Sequence, residues 1–134
     1  MLQEFIEQIC SELTIEPVPK LNARKKTLFT LNEDIKIDFT ELDPGISMQT
    51  IICPCPEKRK EELFMFLMNA NFLGQGTGGA RIGLDRQEKF ITLCLGLPYE
   101  LPYQGFKKHL EDFANHLIYW RAQMIQFERE KNLI

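Results

Sequence analysis

The sequence predicts an α+β fold: an antiparallel twisted sheet packed by helices, in the order α-β-β-β-α-β-β-α. Three observations carry that prediction. The apolar spacing is helical at both ends of the chain and two-residue in the middle. Asn, Asp, Gly and Pro clusters cut the middle into short strands. One central segment, Leu63 to Met68, is apolar on every side of a helical wheel. At 134 residues, with 44% hydrophobic and 26% charged residues, the chain is expected to form one domain over residues 1–134.

The first helix is read from Leu2, Ile6, Ile9 and Leu13, with Phe5 beside them, and Pro17 and Pro19 end it. Ile35, Ile37 and Phe39 then alternate with Lys36, Asp38 and Thr40, as a half-buried strand requires. Asn32-Glu33-Asp34 and Asp43-Pro44-Gly45 divide residues 27–52 into a three-stranded meander. Pro54 and Pro56 close its last strand. Pro56-Glu57 is expected to open the second helix, which runs to about Asn71.

That second helix carries the apolar run 63–68. A small domain has too few elements to cover such a helix all round, so a second copy of the chain is the expected cover. Ala80–Asp85 and Lys89–Leu97 read as a hairpin around Asp85-Arg86-Gln87-Glu88, closed by Pro98 and Pro102. From Gly105 to about Glu130, Phe106, Leu110, Phe113, Leu117, Trp120, Met124 and Phe127 recur at steps of four and three. This spacing also suits a coiled coil. Four aromatic residues in one stripe fit a broad sheet face better than a narrow two-helix seam.

The chemistry-bearing residues do not assemble into a catalytic pattern. Gly74-Gln75-Gly76-Thr77-Gly78-Gly79 leaves a helix and enters a strand, the reverse of a phosphate-cradling loop, and lacks the Lys-Ser/Thr ending. Cys53 and Cys55 are one residue apart, too close for a zinc knuckle, and all four cysteines are read as thiols. His109 and His116 stand two helical turns apart, too far to share one ion. The only serines, Ser11 and Ser47, lie in no nucleophile motif. Neither enzyme activity nor a cofactor is expected. A formal charge of −3 and a pI near 5.4 weigh against nucleic acid, despite Arg24-Lys25-Lys26 and Lys58-Arg59-Lys60. No segment is expected to insert in a membrane, and the start MLQEFIEQIC does not read as a secretory signal.

With that element order, the segments Leu63-Phe64-Met65-Phe66-Leu67-Met68-Asn69-Ala70-Asn71, Gly79-Ala80-Arg81-Ile82-Gly83-Leu84-Asp85, Phe90-Ile91-Thr92-Leu93 and Leu97-Pro98 together resemble the Tir chaperone (CesT-like) family of type III secretion chaperones. The long last helix with Trp120 completes a resemblance covering nearly the whole chain; Cys-Pro-Cys-Pro at 53–56 departs from it. The resemblance implies a homodimer in the bacterial cytoplasm. It binds the N-terminal chaperone-binding segment of one or more secreted effectors, keeps that segment non-globular and secretion-competent, and hands it to a secretion ATPase or sorting components.

Phe5, Ile9, Leu28, Phe29 and Leu31 are the expected effector-binding residues, since they supply more large apolar groups than a two-residue-period core needs. Leu63, Phe64, Phe66, Leu67, Ala70, Ile82 and Leu84 are the expected dimer interface. Two rival readings are a regulatory or scaffolding dimer with no secretion role, and a small ligand-binding protein or enzyme using the glycine-rich loop.

Overall fold

A computed structural model of the chain describes residues 1–72 and 79–132. The elements are α1 (Leu2–Leu13), β1 (Lys26–Thr30), β2 (Lys36–Leu42), β3 (Gly45–Pro54), α2 (Lys60–Asn71), β4 (Arg81–Leu84), β5 (Phe90–Leu97) and α3 (Tyr103–Asn132). This is the predicted order, and the strands form one five-stranded sheet in the order β1-β2-β3-β5-β4. The pairings β1 with β2, β2 with β3 and β4 with β5 are antiparallel. The chain groups into two compact units, residues 1–50 with 95–111 and residues 51–94 with 112–134.

In the first unit, α1 turns Leu2, Ile6, Ile9 and Cys10 inward and its charged residues outward. Its start is tied down by a strand, because Glu41 of β2 accepts the Leu2 N–H at 3.0 Å and satisfies one of the orphan donors of a helix start. That hydrogen bond is the main reason the Glu41 carboxyl lies below its ordinary pKa. Past the left-handed Thr14 that ends α1, the chain is held by Gln3 of α1. The Gln3 Oε1 accepts the Leu21 N–H at 2.9 Å, and its Nε2 donates to the Pro19 carbonyl at 3.1 Å.

Ile37 and Phe39 of β2 and Ile46 and Met48 of β3 are fully buried, alternating with exposed Asp38 and Gln49 as the two-residue period requires. A chain of aromatic rings links this core: Phe29 to Phe39 at 5.6 Å, Phe39 to Phe106 at 5.7 Å and Phe106 to Phe5 at 5.2 Å. The start of α3 thus packs on the sheet, as the four aromatic residues of its stripe suggest. At the turn into β3, Gly45 has φ 109°, and a Cβ there would run into the Leu97 carbonyl, Pro98 and Tyr99.

In the second unit, Leu63 and Leu67 of α2 are buried, and Phe66 contacts both Trp120 and Phe127 of α3 at 5.8 Å. The α3 stripe is buried from Phe106 to Met124, with Phe127 half-buried. One boundary departs from expectation: α2 begins at Lys60, not at Pro56-Glu57. Arg59 sits in the left-handed region at φ 60°, which a helix starting at Glu57 does not allow. Its guanidinium instead lies over the Phe127 ring, 5.2 Å from the centroid.

Candidate functional site

β1 is an outer strand of the sheet, so among the described residues one of its sides faces no strand. The bonds Glu41 N–H to Lys25 O (2.9 Å) and Leu31 N–H to Ile35 O (3.0 Å) set the phase of its pairing. Odd-numbered residues bond to β2, and Lys26, Leu28 and Thr30 turn their backbone groups outward. Asn22 occupies Lys26: its own N–H donates to the Lys26 carbonyl at 2.9 Å, and its Oδ1 accepts the Lys26 N–H at 3.1 Å. Among the described residues no side chain occupies Leu28 or Thr30 in this way.

The five expected effector-binding residues divide. Leu28 is 50% exposed on the open strand, and Phe5 and Leu31 are half-buried. Ile9 and Phe29 are 2% and 0% exposed, so the expectation of a surface patch containing them fails. Ile9 completes the inward face of α1, and Phe29 stacks on Phe39 in the aromatic chain. A two-residue period places Phe29 and Leu28 on opposite faces of β1, which is why they cannot share one surface patch. Arg24, Lys25 and Lys26 at the beginning of the strand are all exposed.

The second unit holds a different feature, an apolar groove of about 310 Å³ lined by Phe64, Leu67, Met68, Asn71, Ile82, Gly83, Leu84 and Ile91. It brings together Phe64, Leu67, Ile82 and Leu84 of the expected dimer interface. Leu63 is fully buried beneath α2, and Phe66 is half-buried against Trp120 and Phe127, so both already contact their own chain. Ala70 is half-buried. The most exposed apolar groups here escaped sequence reasoning: Met65 and Met68 at 67% and 70%, and Phe72 at 66%. The all-round apolar wheel announced such a surplus without saying which side faces outward.

Among the described residues no three His, Cys, Asp or Glu side chains gather to hold a metal ion. Burial pushes the Cys53 thiol up to about 11, with Glu128 and Cys55 adding to the shift and Arg121 opposing it, which makes it a poor nucleophile. Burial also raises the Cys10 and Cys94 thiols. His116 Nδ1 lies 2.7 Å from the Asp112 carbonyl oxygen. The glycine-rich loop falls outside the described residues except for Gly79. No helix among the described residues is long and apolar enough to cross a membrane.

Residues 4–121 match the Tir chaperone protein (CesT) family. The chain belongs to that family. The chain is similar in sequence to the Chlamydia pneumoniae protein CPj0713/CpB0740, 23% identical over 126 residues, which span 92% of this chain and 96% of that protein. Two solved structures share the Tir chaperone fold seen here. One is a chain of the ExsC–ExsE complex, with a TM-score of 0.74 at 12% identity, covering 90% of this chain and 91% of that one. The other is a chain of the HopA1–SchA chaperone–effector complex, with a TM-score of 0.67 at 10% identity, covering 90% and 93%.

Proposed function

We propose that this Tir chaperone family member is a cytoplasmic bacterial type III secretion chaperone. It binds the N-terminal chaperone-binding segment of one or more secreted effectors, keeps that segment non-globular, and delivers it to the secretion apparatus, where an ATPase or sorting components take it over. The protein acts by binding alone, without catalysis, cofactor or nucleic acid. The observation that carries this reading is the open side of β1 in a chain whose family match spans residues 4–121.

An extended segment that adds to β1 gains backbone hydrogen bonds at Leu28 and Thr30 whatever its sequence, and alternate side chains then select for apolar residues. Leu28 on one face of β1, and Leu31 and Phe5 on the face of Phe29, supply accessible apolar surface for it, and Phe29 and Ile9 are buried beneath the second of these. Such a mode suits a client that must stay unfolded, because the contacts ask for an extended backbone rather than a folded domain. The TM-score of 0.67 with a chain of the HopA1–SchA chaperone–effector complex supports the same assignment at the level of fold.

Two copies of the chain meet through α2 and β4, where the groove and the exposed Met65, Met68 and Phe72 give each protomer an apolar face. An obligate interface of this kind resembles a core cut in half. Purification of the tagged protein from its native bacterium, followed by mass spectrometry and limited proteolysis of what co-elutes, tests the assignment. Secreted proteins protected near their N-termini are the expected result. Recovery of cytosolic regulators alone would shift the assignment to a regulatory dimer.

A further inference from the structure

Cys53-Pro54-Cys55 belongs to the stretch that departs from the family resemblance, and client binding makes no use of it. Cys53 is the next-to-last residue of β3, and Cys55 lies just beyond its end. The Cys55 N–H still donates to the Lys89 carbonyl, at 2.8 Å, so the extended pairing carries on past Pro54. Extended residues two apart put their side chains on one face, which sets both thiols side by side within the second unit.

Two thiols spaced in this way suit a bridging ion better than a disulfide. Two steps along a strand carry the Cβ atoms about 6.6 Å apart, whereas a disulfide needs them at about 3.8 Å. Pro54, with its φ locked near about −65°, resists the bend that would close this gap. An ion between the sulfurs spans the difference. With metal–sulfur bonds of about 2.3 Å, the length found for zinc thiolates, a linear arrangement sets the sulfurs about 4.6 Å apart.

The number of ligands selects the ion. Zinc fills four positions, and among the described residues no third His, Cys, Asp or Glu joins the pair. Copper(I) accepts two sulfurs in a line and is among the ions that thiolates select. Both thiols are free and half-buried, and the Cys55 thiol gives up only a long S–H bond to the Pro56 carbonyl, at 3.6 Å. Binding breaks two S–H bonds, forms two Cu–S bonds and releases two protons to water, so the site gains one negative charge. Arg121, held by its bonds to the Ile51 and Ile52 carbonyls at 3.0 and 3.2 Å, stands near enough to Cys53 to offset that charge, while Glu128 works against it.

We propose that Cys53 and Cys55 form a two-coordinate site for copper(I) at the end of β3, with Pro54 as the spacer that keeps the thiols at bridging distance. The site uses none of the residues assigned to client binding or to the contact between copies, so it stands or falls independently of that reading.

The test uses the full-length protein under anaerobic conditions, with copper(I) supplied as its acetonitrile complex and bathocuproine disulfonate as the coloured competitor. The wild type is expected to withdraw one equivalent of copper(I) per chain from the indicator. Cys53→Ser and Cys55→Ser should each lower the affinity by roughly 100-fold or more, beyond the cost of disturbing a ligand's surroundings. Cys94→Ser should leave it unchanged. X-ray absorption at the copper edge of the loaded wild type needs no substitution, so it carries the test if a variant does not fold; two sulfur neighbours in a linear arrangement are expected. A stoichiometry other than one per chain, unchanged affinity in Cys53→Ser or Cys55→Ser, a matching loss in Cys94→Ser, or a third strong ligand at the copper overturns the proposal.

Discussion

Helices α1 and α2 have the same length, 12 residues each, and opposite relations to their surroundings. In α1, Leu2, Ile6, Ile9 and Cys10 turn to the core, and of its large apolar residues only Leu13, 47% exposed, stands substantially in solvent. In α2 only Leu63 and Leu67 are buried, while Met65 and Met68 stand about two-thirds in solvent. The first helix has its hydrophobic surface satisfied within its own chain. The second carries more than its unit covers, and such an exposed apolar surplus is the kind of surface another molecule can meet.

If that contrast is right, substitutions in the two helices differ in kind. Ile6→Ala, at a position with no exposed surface, should cost about 2–5 kcal/mol of folding stability through lost burial and a residual cavity, read from urea denaturation. A cost below about 0.5 kcal/mol, the range of ordinary surface changes, would mean that α1 is not the core element described. Replacing both Met65 and Met68 with Asp should leave the protomer folded by circular dichroism but abolish the proposed dimer in sedimentation equilibrium, because burying unpaired carboxylates at an interface is costly. A stable dimer of that variant would place the contact between copies elsewhere.

The attachment of α1 to β2 sharpens the comparison through pH. Glu41 is held below its ordinary pKa of 4.5, first by the Leu2 N–H and also by the N-terminal ammonium, 3.2 Å away. A carboxyl depressed in the folded state stabilises the fold above the ordinary value, and that contribution disappears as pH falls through the lower folded one. Glu41→Gln should therefore narrow its stability gap to the wild type as the pH drops below 4.5, seen in denaturation series at several pH values. A gap that stays constant would remove the charge from the account.

The smallest effect concerns Cys53, whose thiol rises from an ordinary 9.0 to about 11. The raised value favours the neutral thiol, so this contribution to stability is present below pH 9 and is lost as pH climbs toward the folded value. Alkylation at pH 8 should be slower in the native protein than in urea by roughly tenfold or more, since only the thiolate reacts. Equal rates would show Cys53 to be less buried than described.

Much of the fold was legible in the residues because its elements rest on local rules. The steps of four and three at Leu2, Ile6 and Ile9 and from Phe106 onward, and the alternation through Ile35, Ile37 and Phe39, each follow from the period of a single element. The start of α2 was not legible, since it follows a left-handed Arg59 whose guanidinium lies over Phe127, far along the chain. The candidate site was legible only in outline. Counting apolar residues near β1 picked out Phe29 and Leu28 together, although the pleat sends one to the core and the other to solvent. The hydrogen bonds from Asn71 to Ile82 and from Arg121 to Ile51 and Ile52 join residues 11, 70 and 69 positions apart, and no sequence period announces them.

The measurement that most directly tests binding at β1 is amide hydrogen exchange on the chaperone alone and on the chaperone purified with its client. The account predicts slowed exchange at Leu28 and Thr30 when client is bound, since these outward amides then gain a strand partner. Unchanged exchange at both residues, with new protection appearing elsewhere, would contradict it.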